Sequence, residues 1–139
     1  MDIFDLRVRM KDGLDENIER VGSSVIGAAI EVHRHLGPGF PEVVYRRALA
    51  HELTLRQVPF EVEVPLPVVY KNVEVGAGRI DLLVGRQVIV ELKSVEAINP
   101  VHVSQALAYL TGMRLQLALI INFNVATLKD GLRRVVLRK

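Results

Sequence analysis

The sequence predicts an α/β fold, a central mixed β-sheet flanked by helices, and three observations carry that expectation. Helical spacing of apolar residues runs through positions 15–56, and strand alternation replaces it after Pro59. A capped helix then separates two runs of Ile, Leu and Val. The element order reads ααβββαββ, which packs helices against a single sheet. With 139 residues the chain has the size of one domain and can bury a core. Residues 1–14 read as a weakly structured lead-in, and 15–139 as the domain itself.

The first helix begins near Asp15, because Ile18, Val21, Val25, Ala28, Ala29, Val32 and Leu36 keep helical spacing. Gly37-Pro38-Gly39 ends it sharply. A second helix runs from about Pro41 to Arg56, with Val44, Ala48 and Leu55 among its apolar positions. Beyond Pro59, Phe60, Val62, Val64, Leu66 and Val68 alternate with Glu61 and Glu63, a strand with one wet face. Pro65 and Pro67 cannot donate to a ladder, so this is expected at a sheet edge. A loop containing Asn72, Gly76 and Gly78 leads to a hairpin over 79–94. Asn99-Pro100 supplies an N-cap and first-turn pair for a helix to about Met113. On it Val103, Ala106, Leu107 and Leu110 form the core stripe. "LQLALIINF" (115–123) is a fully buried strand, Lys129-Asp130-Gly131 a turn, and "LRRVVL" (132–137) the last strand.

Composition narrows the function classes. A hydrophobic share of 50% beside a charged share of 24% is that of a soluble globular chain. A net charge of +2 gives only a weak field towards polyanions. The lack of cysteine removes disulfides and thiolate metal sites and fits a reducing cytoplasm. No apolar run reaches the roughly 18 residues of a membrane helix, and "MDIFDLRVRMKDG" lacks the apolar core of a signal peptide. The four histidines show no zinc spacing, and no phosphate-loop, dinucleotide or nucleophile-elbow pattern occurs. With no Trp and few aromatics, a base-stacking platform is weakly supported.

The hairpin "RIDLLVGRQVIVELKS" (79–94) carries the chemistry. Asp81, Glu91 and Lys93 interrupt runs of Ile, Leu and Val, and unpartnered charges are costly to bury. Glu91 and Lys93 share a strand face. A two-residue turn at Gly85-Arg86 would put Asp81 opposite Val90, its carboxylate on the other side of the sheet. A three-residue loop, Gly85-Arg86-Gln87, puts Asp81 across from Glu91, and we expect that loop. Two facing carboxylates repel, which a divalent cation such as Mg²⁺ relieves, taking oxygen ligands and keeping several waters. Asp81, Glu91 and the backbone carbonyl of Leu92 would hold it, while Lys93 orients or deprotonates water, or stabilises charge on phosphorus. The competing account is a solvated strand face or a structural ion pair.

Other residues add support. His102, Gln105 and Tyr109 form a second stripe on the helix at 100–113, where Gln105 and Tyr109 could hold a phosphate; a polar helix surface is the alternative. Arg79 shares the face of Asp81 and either contacts a phosphate or neutralises the carboxylates. Glu42 in "GPGFPEVVY" suits a helix N-terminus by itself. Glu31 and His35, one turn apart, read as a solvated pair, with lining of the cleft by either as the alternative.

Together these residues resemble the PD-(D/E)xK nuclease superfamily, and within it the small GxxExxY proteins. "GFPEVVY" carries the naming motif through Gly39, Glu42 and Tyr45. "RIDLLV" and "VIVELKS" carry the Asp and ExK signatures, and "QALAY" the Q-x-x-x-Y motif of recombination-type members. "LGPGF", "AHEL", "INFN" and "LKDGLRRVV" extend the similarity over about residues 17–138. The usual Pro before the Asp is Ile80 here. The resemblance implies a restriction-endonuclease-like core. It assigns a Mg²⁺ or Mn²⁺ ion to Asp81 and Glu91 with Glu42, catalytic support to Lys93, and completion of the site to Gln105 and Tyr109. DNA is the expected substrate, with RNA left open. A small chain of low charge would need a homodimer or protein partner to grip it. The alternative function is a non-catalytic module that binds nucleic acid or protein on the same fold.

Overall fold

The computed structural model describes residues 13–138. The lead-in expected over 1–14 lies outside them up to residue 12, while Leu14 packs against the core. Helix α1 (Glu16–Leu36) starts where the Asp15 side chain accepts from the Asn17 amide at 2.8 Å, and it stops at Gly37, whose φ is +67°. Helix α2 (Glu42–Leu55) follows a corner clamped by Tyr45. That hydroxyl donates to the Gly37 carbonyl at 2.5 Å and accepts from the Phe40 amide at 3.2 Å. The buried Tyr45 ring stacks on Phe123 with centroids 4.4 Å apart. Tyr45 therefore ties the Gly-Pro-Gly segment at both of its ends to α2 and, through Phe123, to the sheet.

Five strands follow in the spatial order β1 (Phe60–Tyr70), β2 (Val73–Val84), β3 (Val88–Lys93), β4 (Leu117–Asn122), β5 (Leu132–Val136). All neighbours are antiparallel except β3 and β4, and α3 (Pro100–Met113) makes the crossover that a parallel pair needs. The sheet is thus mixed and flanked by three helices, with the proline-bearing β1 at an edge. Asn99 caps α3 by accepting from the Val101 and His102 amides. Alternation along β2, β3 and β4 splits the core. Leu82, Val90 and Leu119 pack with α1 and α2, while Leu83, Ile89 and Ile120 pack with Ala106 and Leu110 of α3. A buried ion pair, Glu19 to Arg134 at 2.6 Å, ties α1 to β5.

Four sequence expectations need correction. Residues 73–78, read as loop, are the first half of β2, because Lys71 and Asn72 (φ +47° and +72°) close a tight hairpin with β1. The alternating valines of β1 do not line one buried face: Val62 and Val68 are half exposed, since β1 is an edge strand and its outer end runs beyond the helices. Leu107 is exposed rather than in the core stripe of α3. The helix is instead rolled towards Tyr109 and Gly112, where missing Cβ atoms at Gly78 and Gly112 admit Tyr109 and Leu66 respectively. The turn at 129–131 belongs to a 3-10 helix, Leu128–Gly131.

Candidate active site

The loop between β2 and β3 determines which side chains meet. Val84 pairs with Val88, so Gly85, Arg86 and Gln87 form the three-residue connection, with the Gln87 amide donating to the Val84 carbonyl at 3.0 Å. Gly85 and Arg86 both have positive φ, +59° and +57°. The register then runs through Leu83↔Ile89 to Leu82↔Val90. The next positions across are Asp81 and Glu91.

There the carboxylates take the place of the backbone ladder. The Asp81 amide donates to Glu91 Oε2, and the Leu92 amide donates to Asp81 Oδ2, each at 2.8 Å. Each acid therefore has one oxygen fixed by a main-chain N–H of the opposite strand. Glu91 is 4% exposed and the Asp81 side chain 13%, so the pair is largely withdrawn from water. Burial, and then repulsion from Asp81, push the Glu91 carboxyl up from 4.5 to about 7, against the opposing pull of Lys93 and Arg79.

Arg79 and Tyr109 lie beside this pair. Arg79 Nη2 is 3.8 Å from Asp81 Oδ1, and the Arg79 amide donates to the Tyr109 hydroxyl at 3.4 Å. The Tyr109 ring covers Gly78, where a Cβ would stand 2.6 Å from Cε1. Gly78→Ala should therefore displace Tyr109 and cost about 1–3 kcal/mol in urea unfolding. The cost should shrink in a Tyr109→Ala background; equal costs in both backgrounds would contradict the contact. Gln105 lies one turn before Tyr109 and is half-buried. Lys93 is half-buried, and its charge acts on Glu91. The Leu92 side chain is in the core, and its amide is the group that meets Asp81.

Glu42 is exposed at the start of α2 and lines an open cleft of about 520 Å³ with Phe40, Ser94 and Asn124, a lining that includes neither Asp81 nor Glu91. Among the described residues no group of three or more His, Cys, Asp or Glu side chains is gathered for a metal ion. Glu31 and His35 are paired at 3.3 Å, with His35 exposed and Glu31 half-buried.

Three residues near the site are not among the site residues expected from the sequence. Arg46 on α2 and Glu63 on β1 are ion-paired at 3.0 Å, and Glu63 reaches Arg79 at 3.5 Å. Glu63 has φ of +52° inside a strand, a strain of roughly 1–3 kcal/mol for a residue with a Cβ. Asn122, buried at the end of β4, accepts from the Val95 and Asn124 amides and donates to the Val95 carbonyl, holding the chain that leaves Lys93. The sequence signals for it are a polar residue closing the apolar run "LALIIN" and its place in the family-like stretch "INFN".

The geometry thus joins an Asp and an ExK glutamate across two strands, with the lysine close enough for its charge to act on that glutamate. No curated protein matches the chain. The sequence model of the PD-(D/E)XK nuclease superfamily matches residues 19–135, which span α1 to β5 and include every one of these side chains. On that match over most of its length, the chain belongs to the PD-(D/E)XK nuclease superfamily.

Proposed function

We propose that this protein is a GxxExxY-type nuclease, a phosphodiester hydrolase acting on DNA with a divalent cation, Mg²⁺ or Mn²⁺. The observation that carries the reading is the facing Asp81–Glu91 pair, in which burial and mutual repulsion hold the Glu91 carboxyl near pH 7. A structural ion pair would be expected to lower a carboxyl instead. The donor set is all oxygen and suits a hard cation, with Asp81 and Glu91 as protein ligands. The Leu92 carbonyl, water and phosphate oxygens would take the remaining positions, and Glu42 would have to turn from the cleft it lines to join them. When bound, the cation supplies Lewis-acid polarisation of the phosphate.

The residues do the rest. Glu91 must give up its proton for the site to load, so occupancy rises through about pH 7 and levels above it. Lys93 orients the attacking water and balances charge gathering on phosphorus. Arg79, Gln105 and Tyr109 bind and orient the phosphodiester. A chain with a net charge of +2 has little grip on a polyanion, so a second copy or a protein partner completes the hold on substrate. We assign the activity to the cytoplasm, in keeping with the absence of cysteine; no helix among the described residues is long and apolar enough to cross a membrane.

The test is a Mg²⁺ and Mn²⁺ titration with and without a panel of DNA and RNA substrates, comparing wild type with Asp81→Ala and Lys93→Ala. Wild type should cleave DNA, and each substitution should remove cleavage. Cleavage that survives both refutes the site. A second reading, a non-catalytic binding module, draws on the lack, among the described residues, of a third metal-ligating side chain gathered with Asp81 and Glu91, and on Arg79 standing beside Asp81. It is favoured if wild type binds nucleic acid and cation but turns over no substrate.

A further inference from the structure

β1 departs from its own geometry at Glu63. The β1–β2 register passes from Val62↔Leu82 to Val64↔Ile80, leaving Glu63 and Asp81 out of the ladder opposite one another. Glu63 sits there at φ +52°, a left-handed conformation that a side-chain-bearing residue keeps only when its surroundings impose it. What surrounds it is a pair of guanidinium groups. Glu63 Oε1 is 3.0 Å from Arg46 Nη2, and Oε2 is 3.5 Å from Arg79 Nη1.

Arg79 is therefore shared between two carboxylates. Its Nη1 is 3.5 Å from Glu63 and its Nη2 is 3.8 Å from Asp81 Oδ1, the oxygen that takes no main-chain hydrogen bond. Removing the Glu63 charge would leave Asp81 as the carboxylate closest to Arg79, and the guanidinium would close on Oδ1. Arg46, with 19% of its side chain exposed, holds Glu63 from the other side, so Glu63 cannot follow Arg79 inward.

We propose that Glu63 is a positioning residue that draws Arg79 off Asp81 and so keeps the outer oxygen of Asp81 available to a cation. This rests on the reading of Asp81 and Glu91 as the cation ligands. The backbone strain at Glu63 then has a purpose, since the kinked strand aims its carboxylate at both arginines. Arg79 is left with N–H groups free to turn to a phosphate once the cation is in place.

Mn²⁺ binding to the full chain, followed by loss of the free-ion electron paramagnetic resonance signal, tests this without substrate or turnover. Glu63→Gln should weaken Mn²⁺ binding about fivefold, the size of one partly exposed ion pair gained by Arg79 on Asp81. Arg79→Ala should not weaken it. Glu63→Gln should have no further effect in the Arg79→Ala background, because Glu63 acts through Arg79. Unchanged affinity in Glu63→Gln overturns this proposal alone. So does the same fivefold loss in the Arg79→Ala background, which would mean that Glu63 acts by its own charge. Wild type that binds no Mn²⁺ overturns both this proposal and the cation site. Should Glu63→Gln fail to fold by circular dichroism, Glu63→Asp, which shortens the reach to Arg79, carries the same comparison.

Discussion

Glu91→Gln is expected to make the protein more stable at pH 8 and at the same time to abolish the proposed cation-dependent cleavage. The carboxyl of Glu91 is raised from 4.5 to about 7, so in that window the native protein holds a proton that the unfolded chain releases. Stability therefore falls as pH rises from about 4.5 to about 7 and stays reduced above it. At about 1.4 kcal/mol per pH unit the full loss is about 3 kcal/mol. Glutamine cannot ionise, and its amide oxygen can still accept from the Asp81 amide, so the variant lacks this slope. Urea unfolding in EDTA at pH 4, 6 and 8 should show the two proteins diverging with pH by about that amount. Parallel curves would mean that Glu91 titrates no differently in the fold. If Glu91 holds the cation as proposed, losing it should remove several kcal/mol of transition-state stabilisation, roughly 10³-fold or more in rate. A site whose removal stabilises the fold is what a stability–activity trade-off looks like at a single residue. Bound cation should return the missing stability to wild type at pH 8 and leave the variant unmoved.

Gly131→Ala is expected to be among the most damaging substitutions in the chain. A Cβ there would stand 2.0 Å from the Asn122 carbonyl oxygen and 3.0 Å from its carbon. These are backbone atoms at the end of the parallel pair β3–β4, and the Asn122 side chain is itself tied to Val95 and Asn124. Nothing flexible can give way. A loss of about 3 kcal/mol or more in urea unfolding is the expected outcome. Because Asn122 holds the segment after Lys93, the main-chain amides at 95 and 124 should also lose hydrogen-exchange protection ahead of the rest of the sheet. A cost below about 1 kcal/mol would show that the 3-10 helix can lift away from β4.

Much of the fold was legible because its signals are local. Asn99-Pro100 starts α3 by chemistry confined to one turn, and the prolines of β1 exclude it from the sheet centre. The β2–β3 register was legible too, since an odd loop around Gly85 is the only one that faces Asp81 to Glu91. Other features depend on contacts between segments remote in sequence. The early half of β2 was missed because Gly76 and Gly78 read as loop residues, and Gly78 instead makes room for Tyr109. Leu107 was misassigned because apolar periodicity gives a helix a greasy side but not its roll on the sheet, which the glycine contacts set.

The same division runs through the candidate site. Side-chain alternation and loop length are properties of the chain itself, so the sequence alone determined that Asp81, Glu91 and Lys93 could converge. Whether a charge is buried, paired or strained depends on what the rest of the fold brings against it. Only the tertiary structure decided that the Asp81 and Leu92 amides fix the two carboxylates and that Glu42 lies in a neighbouring cleft. It alone set Arg46, Glu63 and Arg79 in a line of charge ending at Asp81, across three elements that no local pattern connects.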